Sequence, residues 1–109
     1  MPKASGVRQY SIGAEELLDM IKTAGIQFGY KLTFRSGSAI RLSEPFSLFS
    51  FTYPATITVA SRPAGQGLQA EFLVTNFGWG PIQSRHVQAQ LERFLSALEV
   101  DMSGYNPAV

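Results

Sequence analysis

The chain has 109 residues and a mass of 11.9 kDa, with 45% hydrophobic and 16% charged residues and a mean hydropathy of +0.04. That apolar load excludes intrinsic disorder, and the length suits one core rather than two. Nine Lys and Arg against eight Asp and Glu leave +1, so no global field draws the chain to DNA or to an anionic membrane, and the absence of cysteine excludes a disulfide scaffold, a thiolate metal site and a cysteine nucleophile.

Residues 1–6 read as a small, polar tail. Residues 7–12 form a short edge strand with Val7, Tyr10 and Ile12 as its apolar members. A helix over 14–24 follows: Leu17, Leu18, Ile21 and Ala24 fall on one face, Glu15 and Glu16 sit in the first turn, and Gly25 stands where a left-handed terminator belongs. The period then switches. Ile26, Phe28, Tyr30, Leu32 and Phe34 alternate with polar residues or glycine over 26–35, the pattern of a half-buried strand whose apolar set faces the core. A turn at 35–38 leads to a strand over 39–43, with Ile40 and Leu42 inward. Another strand covers 56–61, a loop 62–67, and a further strand 68–75 with Leu68, Ala70, Phe72 and Val74 inward.

The chain breaks at Asn76-Phe77-Gly78-Trp79-Gly80-Pro81, and Pro81 suits the first position of a helix. Val87, Leu91, Phe94, Leu95 and Leu98 make the stripe of a second amphipathic helix over 82–100, and 101–109 reads as a tail. The expected domain is therefore 7–100. Strands joined by short turns cannot be parallel. The fold class is α+β: a two-layer sandwich in which an antiparallel sheet of four to five strands carries the N- and C-terminal helices on one face. No stretch resembles a signal peptide or a membrane span, so the expected location is the cytoplasm.

Catalytic chemistry finds few footholds. His86 is the one histidine, and beside Arg85 it reads as a solvent-facing or helix-start residue. Glu15, Glu16 and Asp19 form a weak acidic cluster that a solvated helix start accounts for, so neither a metal nor another cofactor is expected. Gly78-Trp79-Gly80 lacks the third glycine of a dinucleotide site and the Lys-Ser/Thr of a P-loop; it reads as permissive backbone with Trp79 folded onto the core. Lys31, Arg35 and Arg41 occupy a polar sheet face, but Phe28, Tyr30 and Phe34 point the other way, which argues against nucleic acid as a partner. A carboxylate pair from distant strands, Glu44 with Glu71, is the one arrangement that would reopen the enzyme class. Without it the chain is not an enzyme.

The segment 45–54, Pro-Phe-Ser-Leu-Phe-Ser-Phe-Thr-Tyr-Pro, resists a purely structural reading. Leu48 and Phe49 fall on opposite faces of any strand, so part of its apolar surface is exposed unless a bulge or another molecule covers it. Phe46, Phe49, Phe51, Tyr53 and Trp79 are the candidate binding residues. The expected function is a non-catalytic interaction or self-association module, with a homo-oligomer or another protein as partner and no membrane. The alternative is a carrier of a small apolar ligand, held between sheet and C-terminal helix by Phe49, Phe51, Phe72, Trp79 and Phe94.

Ser47-Leu48-Phe49-Ser50, the β run at 56–60 and Trp79-Gly80 before the last helix together resemble a group of small uncharacterised bacterial α+β proteins. Ser11-Ile12-Gly13-Ala14-Glu15-Glu16-Leu17 is similar to the strand-to-helix passage of minimal helix-grip domains. The resemblance spans about residues 10–98. It implies the fold and carries no established activity.

Overall fold

Alternation in the strands and 3.6-residue periodicity in the helices sort the chain into two layers. The computed structural model describes residues 2–45 and 52–103, so Phe46, Phe49 and Phe51 lie outside the described residues. In chain order the elements are β1 (Lys3–Tyr10), α1 (Ala14–Gln27), β2 (Lys31–Arg35), β3 (Ala39–Ser43), β4 (Thr56–Ala64), β5 (Gly67–Thr75) and α2 (Pro81–Ser103). The five strands make one antiparallel sheet in the order β1-β5-β4-β3-β2.

Register fixes which face is covered. Gly6 pairs with Phe72 and Phe72 with Val59, while Leu42 pairs with Ile57 and Ile57 with Val74, so all of these share one face. Gly6 approaches Leu91 and Leu95 of α2, and Gly25 of α1 approaches Leu42. Both helices therefore lie on the same face, as the sequence predicts. Leu17, Leu18, Ile21, Leu91, Phe94 and Leu98 meet Ile40, Leu42, Ile57, Val59, Phe72 and Val74 in the core. Fully burying each such side chain contributes about 1.5–3 kcal/mol.

Several boundaries differ from the sequence reading. The expected tail 1–6 is no tail from residue 3 on, because Lys3–Gly6 pair with Thr75–Phe72 as the first half of β1. The expected tail 101–109 loses its first three residues to α2, which runs on to Ser103. Helix α1 passes through Gly25 and ends at Gln27. Its terminator is Gly29, at φ +88°, with Tyr30 N–H donating to Gly25 O at 2.8 Å and Gly29 N–H to Ile26 O at 3.0 Å. This is the paired 6→1 and 5→2 bonding of a Schellman end. Gly25 is small for a different reason: a Cβ there would lie 2.7 Å from Leu42 Cδ1.

The expected loop 62–67 is mostly hairpin. Arg62, Pro63 and Ala64 continue β4, and a two-residue loop at Gly65-Gln66 turns the chain, with φ +61° at Gly65. Pro63 is tolerated because β3 stops pairing at Ala60, leaving that end of β4 with an open edge. The largest change is in β2. A bulge between Leu32 and Phe34 reverses the alternation, so Phe34 pairs with Arg41 on the open face and Arg35 pairs with Ile40 on the helix face. Phe34 thus leaves the core side, where the sequence places it. Arg35 instead reaches Asp19 of α1 at 3.0 Å.

Candidate functional site

Of the predicted binding residues, Tyr53 and Trp79 are described, and both stand at the end of the molecule where β5 passes into α2. Asn76 ends the apolar run of β5 and is buried. Its Oδ1 accepts the Gly78 N–H at 3.2 Å, and its Nδ2 donates to Gln83 Oε1 at 3.0 Å. The same Gln83 oxygen accepts the Tyr53 N–H at 2.9 Å. One buried glutamine in the first turns of α2 thereby ties together two segments remote in sequence. Gly78 is required at this crossing, because a Cβ there would lie 2.5 Å from Gln83 Cγ and 2.8 Å from Tyr53 Cδ2.

Around this knot the side chains turn outward. Tyr53 is 52% exposed, Phe77 75%, Trp79 82% and Ile82 56%. Trp79 is therefore not folded onto the core, contrary to the sequence reading. The cause is local: Gly80 adopts φ +92° and Pro81 opens α2 directly after it, which leaves the tryptophan on the outside of the turn. Phe77 and Ile82 escaped the sequence reading because single exposed apolar residues carry no periodic signal. Asn76 and Gln83 escaped it because a buried polar pair is defined by partners that sequence spacing does not reveal.

A second polar group lies nearby, on the helix-facing side. Glu44 continues the inward parity of Ile40 and Leu42 one step beyond β3. Its backbone N–H donates to Ala55 O at 2.9 Å, and its Oε1 accepts the Ala55 N–H at 2.9 Å. The same oxygen lies 2.5 Å from His86 Nε2. His86 is accordingly half-buried against Glu44; of the two positions expected for it, the one near the helix start holds and the solvent-facing one does not. Glu44 does not meet Glu71, which stands on the opposite face of the sheet and pairs with Arg62 at 3.3 Å.

Four residues above His86 on α2, Gln90 accepts a 2.8 Å hydrogen bond from the Tyr30 hydroxyl. Burial raises the Tyr30 pKa, the Glu44 charge raises it further, and Arg93 opposes both. The Arg93 guanidinium lies 3.9 Å over the Phe28 ring, and the Phe28 and Tyr30 rings both meet Phe94 edge-on, at 5.2 and 5.1 Å. Phe28, Gly29, Glu44, Pro45, Thr52, Tyr53 and Pro54 line a recess of about 240 Å³. Glu44 Oε1 is committed to two donors that belong to the fold, so the Glu44–His86 pair fastens α2 to the β3–β4 end of the sheet. Among the described residues no three His, Asp or Glu side chains come close enough to hold a metal ion, and no helix is long and apolar enough to cross a membrane.

Of the aromatic set drawn for a ligand cavity, Phe49 and Phe51 lie outside the described residues. Phe72 and Phe94 are fully buried in the core, whereas Trp79 is in solvent.

No family model matches the chain, and no curated protein matches it by sequence. The likeness is in the fold. Protein MLL2253 from Mesorhizobium loti superposes with a TM-score of 0.70 at 12% identity, covering 95% of this chain and 98% of that one. The Aha1 dimer from Colwellia psychrerythraea gives 0.69 at 10% identity over 94% of this chain and 96% of that one. Ara h 8.0201 gives 0.54 at 8% identity, over 94% and 98%. With a five-stranded antiparallel sheet holding an N-terminal and a long C-terminal helix on one face, and these structures as its neighbours, the chain has a helix-grip-like α+β fold.

Proposed function

We propose that the chain is a non-catalytic self-association module in which the surface of Tyr53, Phe77, Trp79 and Ile82 meets the same surface of a second copy. The observation that carries this reading is the exposure of four large apolar side chains around one fixed knot of Asn76, Gly78 and Gln83. Scattered exposed apolar residues are ordinary, but a contiguous group rich in aromatics is what interface cores are made of. Four such side chains present on the order of 500 Å² of surface, so a symmetric pair buries about 1,000 Å², at the lower limit for a specific interface. The dimer is therefore weak and concentration-dependent. The likeness to a solved Aha1 dimer, a protein of the same fold that pairs, supports the same reading.

An apolar ligand carrier has less support. Phe72 and Phe94 fill the space between sheet and α2. The recess beside Glu44, at about 240 Å³, is smaller than the roughly 300–1,000 Å³ of most ligand pockets and has a carboxylate in its wall.

Sedimentation equilibrium tests the proposal. The wild-type chain is expected to shift from 11.9 kDa toward twice that mass as its concentration rises from about 10 µM to about 1 mM. Trp79→Ser and Phe77→Ser, both at exposed positions, are each expected to weaken pairing about tenfold without changing the thermal midpoint. A strict monomer at about 1 mM, or variants that pair as well as wild type, overturns it.

A further inference from the structure

The near-zero net charge conceals a segregation that only the register reveals. Lys3 of β1, Lys31 of β2, Arg41 of β3 and Arg62 of β4 all stand on the face of the sheet turned away from the helices. Among the described residues Glu71 is the one acidic side chain on that face, and Arg62 holds it at 3.3 Å. The others sit on α1 and α2 or, in Glu44, on the helix-facing side. The same face is not purely polar. Val7 is 52% exposed and Leu73 40%, and with Ser5, Thr58, Ala60 and the Arg62-paired Glu71 they line a shallow groove of about 420 Å³ across β1, β5 and β4. The β2 bulge adds Phe34, with the Arg41 guanidinium 5.9 Å above its ring.

We propose that this open face docks an acidic protein segment that also carries aliphatic side chains, with Val7 and Leu73 receiving the aliphatic groups while Lys3, Lys31 and Arg41 face the carboxylates. Charge complementarity selects the sign of the partner. The apolar side chains select its class. A single-stranded nucleic acid needs open aromatic faces for its bases; Phe34 is the one aromatic that these strands put on this face, and Arg41 already lies over it. Val7 and Leu73 offer an aliphatic surface suited to Leu- or Ile-like side chains. The sheet spans about 19 Å across its strands, long enough for an acidic segment to reach both Lys3 on one edge and Lys31 on the other. This surface shares no residue with the Trp79 patch, so the two proposals are tested by different variants.

The experiment is an NMR titration of the ¹⁵N-labelled chain. The probe is a synthetic peptide of about 16 residues with Glu on one side and Leu on the other. The expected result is a dissociation constant on the order of 10–100 µM. Amide shifts should map to Val7, Arg41, Thr58 and Leu73, and binding should weaken about tenfold as salt rises from about 50 to about 300 mM. Lys31→Glu combined with Arg41→Glu is expected to abolish binding of this peptide and to permit binding of its Lys-for-Glu counterpart, a rescue that a misfolded variant cannot give. Leu73→Ser is expected to weaken binding about tenfold. The proposal is overturned by no shifts at about 1 mM peptide, by equal binding of a peptide with Ser in place of Leu, or by tighter binding of an oligo-dT. Shifts confined to residues 77–82 overturn it as well, and sedimentation of the free chain still decides the self-association reading on its own.

Discussion

Tyr30 shows how much of this molecule is settled by partners far away in sequence. Its ring is buried as expected, but residue 30 stands between α1 and β2 rather than within the strand that the alternation predicts over 26–35. Its hydroxyl is a separate matter, because the Gln90 oxygen that receives it lies 60 positions further on. Glu44 and His86 are likewise 42 positions apart, and neither stands in any motif. A sequence reading finds periodic sets and misses pairs of this kind. The pH dependence follows from the direction of the Tyr30 shift. Below pH 10, the ordinary value for tyrosine, the phenol is neutral in both folded and unfolded chains and its full contribution is present. As pH rises beyond that value the unfolded chain ionises while the folded chain still holds the proton, so stability falls. Tyr10 shifts in the same direction, chiefly by burial. Urea unfolding at about pH 8 and about pH 10.5 should therefore show lower stability at the higher pH. Tyr30→Phe should cost about 1–2 kcal/mol at the lower pH, because it strips the buried Gln90 oxygen of its donor. It should also shrink the alkaline loss without removing it. An unchanged alkaline loss in the variant would assign the effect to other groups.

At the scale of elements, existence and type are readable, and boundaries depend on contacts. The stripe of Leu17, Leu18, Ile21 and Ala24 announces α1, but two glycines compete to end it. Gly29 wins because the next residue, Tyr30, goes into the core, and its N–H can then close the helix onto Gly25 O. Gly25 is instead a packing residue beneath Leu42. The bulge in β2 has the same character: nothing in Leu32-Thr33-Phe34 signals it, yet it reverses every later side chain of the strand and gives Arg35 to Asp19. The two glycines are therefore expected to respond differently to alanine. Gly25→Ala gains about 1 kcal/mol of helix propensity but forces Leu42 aside, for a net loss of about 1–3 kcal/mol. Gly29→Ala meets open space, and its cost is the positive φ alone, about 1 kcal/mol. Chemical denaturation separates them when each is combined with Leu42→Val. The smaller partner should relieve Gly25→Ala and leave Gly29→Ala unchanged. Equal additivity in both would show that Leu42 does not govern Gly25.

At the scale of the whole molecule, the sheet is a run of antiparallel neighbours from β2 to β5, closed at its far edge by the first strand in the chain. That closing step is what the sequence conceals. Residues 3–6 are Lys, Ala, Ser and Gly, a composition shared with tails, and only their pairing with Thr75–Phe72 makes them a strand. The demand comes from the other side of the pair. Phe72 and Val74 are buried, and without β1 their strand would be an open edge beside the core. Ala4 is buried in this position, and Gly6 is small enough to let Leu91 and Leu95 of α2 lie close against the strand. Deletion of residues 2–6 should therefore behave as the loss of half a strand. On the order of four ladder hydrogen bonds disappear, at about 0.5–1.5 kcal/mol each, which gives a loss of about 2–6 kcal/mol. A domain of this size has roughly 5–15 kcal/mol in total, so the thermal midpoint should fall by about 10 °C or more. Hydrogen exchange should speed up in the amides of β5 and leave those of β3 unaffected. A midpoint within about 2 °C of wild type would return these residues to the status of a tail, with Val7–Tyr10 alone as the edge strand on β5.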